Sequence, residues 1–436
     1  MTDGGSGPWI LSVEHDGQAG ALAFIRSRGD YRMRSFRPVT PGVSVRRIAG
    51  IDAIVLPDAR PSPVVLEFDP HKSGIDSDYT PFIAFSDGGV AVFLTAFALL
   101  PFKDAEALAA TGGSLSGRED ALRGQTVTLR TDRPLMGDGR SWDGTFTSEA
   151  FGFDYAYVGD TERARGDSFT GVVDPGLPKD LTANLNADLP RLFDALEAMF
   201  GAPLDEPASI LFAAQGFEDS GISLTGGALP GNLLVLQAEG EALTRGTPGV
   251  RAYLRHFLAH ESAHLFQMQS EGPGVPHTLD WIEEGMADAA ASRILETMND
   301  ADRAFVMRKY ASNLETCSAA LSGATLPEAL RANSRISYDC GDMLFRITVA
   351  ALDDGRIGAF WTALGRRAAA HGELNLDTYF AAMAEMGAEA DIRARMRKLV
   401  SERVAEPKQE ILSLMEAVGA EVEIMDDTLQ SVTFPE

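Results

Sequence analysis

Histidine and cysteine are both scarce in this chain, at seven and two in 436 residues. Two cysteines cannot build a disulfide scaffold, so the fold must rest on an apolar core. The material for one is present: 45% of residues are hydrophobic and 23% charged, as in ordinary globular proteins. The length is enough for two or three domains. Basic charge is short as well. Against 63 Asp and Glu stand 38 Lys and Arg, a formal net charge of -25. Such a surface repels phosphates, which argues against nucleic acid and an anionic membrane face as partners. No apolar run approaches the length needed to cross a bilayer, which excludes membrane insertion. The longest, residues 90–102, reads as a buried strand. Residues 1–7 carry neither a basic stretch nor an apolar one, so no signal peptide is visible. Internal repeats and low-complexity segments are absent too.

What is present divides into three stretches. Residues 1–175 are β-rich, with short apolar or alternating runs at 9–13, 21–25, 53–56, 64–68, 126–129 and 153–158. Residues 81–85 and 90–94, joined by Ser86-Asp87-Gly88-Gly89, form the clearest hairpin. Gly and Pro are dense here, and a β-sandwich or saddle is expected. His15 and His71 are isolated and read as surface residues. A linker rich in Gly, Pro, Asp and Thr follows at 159–180. Residues 176–300 mix strand and helix patterns, and 301–436 are helical, with periodic segments at 301–316, 343–352, 357–370, 378–386, 391–401 and 410–418.

The chemistry concentrates in the middle stretch, at Phe257-Leu-Ala-His260-Glu261-Ser-Ala-His264-Leu-Phe266. Thr247-Pro248 supplies a helix start and Gly272-Pro273 a stop. His260 and His264, four apart, leave one face of that helix and can reach one ion. Glu261 falls within the apolar stripe of Val250, Leu254, Phe257, Leu258 and Leu265. A carboxylate there is costly unless a cation lies beside it. The H-E-x-x-H pattern therefore reads as two metal ligands and a general base. In a chain with so few histidines a chance match is expected about once or twice per hundred sequences, so a third ligand decides. Trp281-Ile-Glu283-Glu284-Gly285-Met-Ala-Asp288 offers Glu284, on a second helix running to about residue 298. Asp280 and Glu283 have the spacing of a capping box for it. Gly285 would let this helix and the histidine helix approach closely, and Asp288 could hold a ligand histidine in one tautomer. His256, one turn before His260, reads as a polar neighbour or core residue, since a catalytic zinc keeps one position open. His277 contacts substrate or is solvated.

With both segments in view, H-E-x-x-H followed by W-x-x-E-G resembles the gluzincin metallopeptidases, nearest the aminopeptidase N and glycyl aminopeptidase branch. Leu192 to Pro203 with Ser209 to Phe212 is similar to the helix, turn and strand that open that catalytic domain. Gly226-Gly-Ala-Leu-Pro-Gly-Asn232 lies where the family has its G-x-M-E-N substrate strand. Tyr338-Asp-Cys-Gly341 is similar to its Y-x-K-G segment. The resemblance covers residues 180–415 and implies an α+β multidomain fold: an N-terminal β-sandwich-like domain flanking the cleft, a thermolysin-like α/β catalytic domain, and a helical C-terminal region completing the cleft. It implies one catalytic zinc ion on His260, His264 and Glu284, with Glu261 as base toward a zinc-bound water. Tyr338 would donate to the developing oxyanion, Asp288 would orient a ligand histidine, and Gly226, Gly227 and Ala228 would bind substrate. The substrate would be a peptide or protein. Two positions depart from the pattern. Cys340 replaces the lysine, and Pro230-Gly231 replaces the glutamate that grips a free α-amine, which puts exopeptidase action in doubt, although Glu239 or Glu241 from the following turn could substitute for it. The alternative function is a non-catalytic binding or scaffold protein that kept the fold, and metal content separates the two.

Cys317 and Cys340 are either two buried thiols or one disulfide. We expect the disulfide, because they are the only cysteines and Cys340 follows the Tyr338 segment. It would imply an oxidising compartment, and so export rather than the cytoplasm.

Overall fold

The computed structural model describes the chain apart from residues 5, 6, 28, 59, 71–78, 271–273, 354, 355, 427 and 436, and without the side chains of Glu119 and His277. His71, Gly272 and Pro273 thus lie outside the described residues. The rest forms two compact units, one of residues 1–178 with 208–244, the other of 179–207 with 245–436.

The first unit is built of strands. In order they are β1 (Trp9–Val13), β2 (Ala21–Phe24), β3 (Arg37–Pro38), β4 (Ser44–Ile48), β5 (Ile51–Val55) and β6 (Val64–Phe68). Then come β7 (Phe82–Ala84), β8 (Val90–Phe93), β9 (Leu99–Phe102), β10 (Thr126–Arg130), β11 (Leu135–Gly137) and β12 (Arg140–Trp142). The last are β13 (Thr145–Glu149), β14 (Tyr155–Val158), β15 (Arg163–Arg165), β16 (Phe169–Val173), β17 (Ala208–Gln215), β18 (Ser223–Leu229) and β19 (Leu233–Glu239). Two short helices, α1 (Tyr31–Ser35) and α2 (Ala105–Ala109), interrupt them.

Alternation sets the burial. Val64, Leu66 and Phe68 of β6 face inward opposite Val13, Leu11 and Trp9 of β1. Phe68 joins the rings of Phe36, Phe82 and Phe97 at centroid distances of 4.9, 5.5 and 5.8 Å. The hairpin at 81–94 is present as antiparallel β7 and β8, with Gly88 in the turn at φ +87°. The run 90–102 is not one strand. A 3-10 turn at Leu94–Phe97 splits it into β8 and β9, which pair in different sheets. Every residue of that turn is buried, so hydropathy alone does not reveal the break.

A further sheet has the order β15-β16-β17-β19-β18, with β16, β17 and β19 parallel and β18 antiparallel at its edge. Gly226, Gly227 and Ala228 lie on that edge strand, and Pro230-Gly231-Asn232 makes the turn into β19. Asp174, fully buried, accepts hydrogen bonds from the backbone N–H of Ser86, Gly176 and Ala214, tying the hairpin turn to the end of β17. The expected catalytic stretch 176–300 is therefore shared: its strands continue the first unit's sheet, and its helices belong to the second.

The second unit is helical. After α3 (Lys179–Phe200) and α4 (Ala242–Arg245), at the junction, come α5 (Pro248–Gln269), α6 (Asp280–Met298) and α7 (Asp300–Leu321). Then follow α8 (Leu326–Ala332), α9 (Ile336–Ala350), α10 (Ile357–His371), α11 (Leu376–Glu385), α12 (Ala390–Ser401) and α13 (Pro407–Ala417). A closing hairpin of β20 (Glu421–Met425) and β21 (Thr428–Thr433) interrupts the otherwise helical pattern expected beyond residue 300.

Backbone meets backbone between α6 and α9. A Cβ on Gly285 would sit 2.4 Å from the Gly341 carbonyl, and one on Gly341 would sit 2.5 Å from the Trp281 carbonyl oxygen. Gly285 therefore makes room for α9, not for the histidine helix as its sequence position suggested. Cys317 on α7 and Cys340 on α9 form a disulfide with a Cα–Cα distance of 4.9 Å. Lys309, Asn313 and Cys317 recur every fourth residue along α7, so all three meet the same neighbour.

Two outcomes follow from this packing. Gly341→Ala should lower unfolding free energy by about 1–3 kcal/mol in urea melts, because the new methyl meets rigid backbone. Gly249→Ala, which has open space around it, should show no such loss. Intact-mass measurement of alkylated, non-reduced protein should find no free thiol. Reduction should cost about 3 kcal/mol of stability for a loop of this length.

Candidate metal centre

The site begins with the start of α5. Thr247 has extended backbone and its side chain accepts from Val250 N–H, while Pro248 occupies the first turn, where a missing N–H costs nothing. From that start the helix runs unbroken through His256, His260, Glu261 and His264. His256, His260 and Glu261 are buried, and His264 nearly so. On α6, Glu284 and Asp288 are one turn apart. The expected capping box is not formed: a 3-10 turn at His277–Leu279 leads straight into the helix, so Asp280 is already its first residue and Leu279 precedes it without a side-chain cap.

Hydrogen bonds fix both imidazoles. His260 Nδ1 lies 2.8 Å from Asp288 Oδ1, so this nitrogen donates and Nε2 keeps a lone pair. His264 Nδ1 lies 2.5 Å from Gln267 Oε1. The Gln267 amide nitrogen donates to the Glu283 carbonyl at 2.9 Å, which aims its oxygen at the ring and sets the same tautomer in His264.

Three acceptors then converge. His260 Nε2 and His264 Nε2 are 3.2 Å apart, and Glu284 Oε2 lies 3.2 Å from the first and 3.4 Å from the second. Glu284 Oε2 is buried and has no hydrogen-bond partner among the described residues. Three lone pairs this close repel unless a cation sits among them. Bonds of about 2.0–2.1 Å to a tetrahedral zinc place ligand atoms roughly 3.3 Å apart, the spacing found here. Glu261 also offers an oxygen, within 4.8 Å of the histidine nitrogens. Glu284, whose oxygen lies closer to both nitrogens, could serve as a third ligand, with Glu261 beside the three.

Protons compete for the same place. Burial opposes charge on His260, but Asp288 and Glu284 outweigh it and hold the imidazole well above its ordinary value. His264 is likewise raised, burial being outweighed by Glu284. Glu284 is pulled down to about 2: burial works against this, and the two imidazoles prevail. Glu261 moves the other way, raised by burial more than His260 and His264 lower it. A buried carboxylate with a raised pKa is a better proton acceptor near neutrality.

Tyr338 sits in the first turn of α9, on the helix rather than in a loop, with its ring 5.7 Å from that of His260. It is 39% exposed. Burial of its hydroxyl and the carboxylates of Glu284, Glu261 and Asp288 push it upward, so it stays a phenol and a donor. His256 is not gathered in. Its Nε2 faces Ser292 Oγ at 3.3 Å, and burial pushes it down to about 3, which keeps it neutral. Of His277 only the backbone is described. Gly226, Gly227 and Ala228 belong to the other unit.

Sequence reasoning missed Gln267, Lys309, Asn313 and Asp342. Lys309 Nζ donates to Asp288 Oδ2 at 2.9 Å and to Asp342 Oδ2 at 2.7 Å. Asn313 Nδ2 donates to the same Asp342 oxygen at 2.9 Å. The available signal was Asp342 standing directly before the apolar run Met343-Leu344-Phe345, where a buried carboxylate requires a cation.

No protein-family model matches the chain, and no curated protein does. Among solved structures, an aminopeptidase N family protein from Idiomarina loihiensis aligns over 95% of this chain and 76% of its own, with 13% identity and a TM-score of 0.64. Leukotriene A4 hydrolase from Saccharomyces cerevisiae aligns over 93% and 64%, with 12% identity and a TM-score of 0.48. Legionella pneumophila aminopeptidase A, solved with aspartic acid, aligns over 92% and 46%, with 11% identity and a TM-score of 0.43. The chain thus spans three quarters of the first and less than two thirds of the other two. Only the first likeness carries weight, and at that identity it establishes fold alone. The chain is a mixed α/β multidomain protein with several sheets and a helical C-terminal region, as in the aminopeptidase N-like fold. No described helix is long and apolar enough to cross a membrane.

The pKa shifts give the pH dependence of the metal-free protein a definite sign. His260 and His264 have raised values, so their contribution to stability is complete below the unfolded value of 6.5 and fades as pH rises through the folded ones. The contribution of Glu284 is complete above 4.5 and is lost as pH falls toward about 2. A zinc ion held here would have to displace two histidine protons, so its apparent affinity should rise by at least about a hundredfold from pH 5.5 to 7.5. Chelator competition across that range is the measurement, and a flat profile would rule out these histidines as ligands.

Proposed function

We propose that this chain is a zinc metallopeptidase of the gluzincin type, hydrolysing peptide bonds with Glu261 as general base. The observation that carries the reading is the triangle of His260 Nε2, His264 Nε2 and Glu284 Oε2, with edges of 3.2–3.4 Å. The aminopeptidase N-like fold supports it. When bound, the zinc ion supplies Lewis acidity toward a carbonyl oxygen and toward water. The protein's own groups do the rest. Asp288 and Gln267 hold the two imidazoles with their lone pairs directed at one point. Glu261, adjacent in sequence to His260 and raised by burial, takes a proton from the attacking water and delivers it to the leaving amine. Tyr338, kept protonated, offers its O–H to the oxygen on which negative charge develops.

Substrates are extended peptides. We take the edge strand β18, at Gly226, Gly227 and Ala228, as the segment an added strand would pair with, a mode of binding that selects no particular sequence, although the Ala228 carbonyl already accepts from the Tyr79 hydroxyl at 3.2 Å. The turn that follows it, Pro230-Gly231-Asn232, carries no carboxylate to pair with a free α-amine. Glu239, at the end of β19, is already bonded by the Gln215 amide at 2.5 Å. We therefore assign weak dependence on a free N-terminus.

Base and ligand roles separate by mutation. Glu261→Gln should retain stoichiometric zinc and lose about two to three orders of magnitude in kcat, whereas His260→Ala or Glu284→Ala should lose the metal itself. Wild-type peptide cleavage by Glu261→Gln would remove the base from the mechanism. On matched peptides, N-acetylation should change kcat/KM by less than about tenfold, since no charge pair is lost. Strict release of single N-terminal residues would overturn that assignment.

A further inference from the structure

Behind His260 the second unit holds a chain of buried charge that the proposed hydrolysis does not itself use. Asp288 spends Oδ1 on His260 Nδ1 at 2.8 Å and Oδ2 on Lys309 Nζ at 2.9 Å. Lys309 Nζ also reaches Asp342 Oδ2 at 2.7 Å, and Asn313, one turn further along α7, donates to that same oxygen at 2.9 Å. Asp288 is 4% exposed and Asp342 is fully buried. Two buried carboxylates, on helices whose backbones touch at Gly285 and Gly341, thus share one ammonium group.

We infer that Lys309 is a positioning residue for the metal centre: by holding Asp288 Oδ2 it keeps Oδ1 turned toward His260 Nδ1, and through it keeps the ligand nitrogen aimed. This rests on the zinc reading given above. Asp288 can hold the His260 ring only while its Oδ1 points at Nδ1. Without Lys309, two anions would face one another in a low-dielectric interior with no cation between them. The Asp288 carboxylate, no longer held at Oδ2, would then swing away from Asp342. That turn withdraws the acceptor from His260 Nδ1. The imidazole is then free to rotate or to change tautomer, and a ligand is lost without any ligand having been altered. Loss of such an outer support typically weakens metal binding by about ten- to a hundredfold. Asn313 shares with the lysine the one Asp342 oxygen that both bond, and so helps to hold that carboxylate in place.

The test measures zinc Kd by chelator competition at one pH on the full chain, with melting of the metal-free form recorded alongside. Lys309→Met should bind zinc at least about tenfold more weakly than wild type, and Lys309→Arg, which keeps a cation between the carboxylates, should recover most of the difference. If Lys309 serves only helix packing, Lys309→Met will melt earlier and bind zinc with wild-type affinity, which overturns the inference. Should that variant fail to fold, the double variant Lys309→Met/Asp342→Asn removes one charge of each sign and is compared with Asp342→Asn alone. Again at least about tenfold weaker binding is expected, and equal affinity overturns the inference. Wild-type protein that binds no zinc would overturn the metal centre itself, and this inference with it. Wild-type protein that binds zinc while Lys309→Met is indifferent overturns the inference alone.

Discussion

The contact on which the rest depends is backbone against backbone, where α6 and α9 touch at Gly285 and Gly341. Ordinary side chains hold helices 8–10 Å apart, and two facing glycines remove that spacer. The consequence is chemical as well as steric. At that separation Asp342 on α9 stands near enough to Asp288 on α6 for one lysine to serve both, and Tyr338, one turn before Gly341, reaches the ring of His260. The disulfide between Cys317 and Cys340 fixes α7 against α9 next to the same contact. Three helices are thereby held in one register, and α5 presents its histidines against them.

The centre itself stores electrostatic cost in the folded protein. His260, Glu261, His264, Glu284 and Asp288 place three carboxylates and two imidazoles in an interior that disfavours charge. Isolated, such groups would drive the site apart or toward neutrality. Their arrangement makes each unfavourable term conditional: Glu284 is a liability alone and a ligand beside a cation, and Asp288 is tolerable because Lys309 and His260 flank it. A cation placed among these groups would relieve that cost. The same crowding lifts Glu261 toward the range where a base works at neutral pH.

How much of this was legible in the sequence depended on the range of each interaction. Thr247-Pro248, the i,i+4 histidines and the hairpin around Gly88 are decided within a few residues, and each stands where the pattern put it. That Asp288 meets one of the motif histidines, His260, was legible because Glu284 set the phase of its helix. What escaped was decided by packing between distant segments. Gly285 announced a close approach but not its partner, which lies 56 residues on at Gly341. Lys309 sits among the charged residues of α7 and gives no local sign of being taken into the interior. The run at 90–102 misled for a related reason: a turn buried on all sides is as apolar as the strands it joins. The hairpin of β20 and β21 does carry alternation, at Val422 and Ile424, yet it follows six helical segments and was absorbed into their pattern.

The interleaving of the two units bears on how the chain is made. The polypeptide leaves the first unit at residue 178, returns for 208–244, and leaves again. Neither unit is a continuous segment, so no single cut releases an intact half. During synthesis β16 emerges well before β17, its parallel neighbour, and α3 must appear between them. Until residue 215 is out, β16 has β15 on one side and a bare edge on the other, an invitation to pair with a foreign strand. Its sheet can close only after part of the helical unit already exists. Fragments ending near residue 178 should accordingly be sticky, and the ribosome cannot hand over a finished β-unit before it has begun the next.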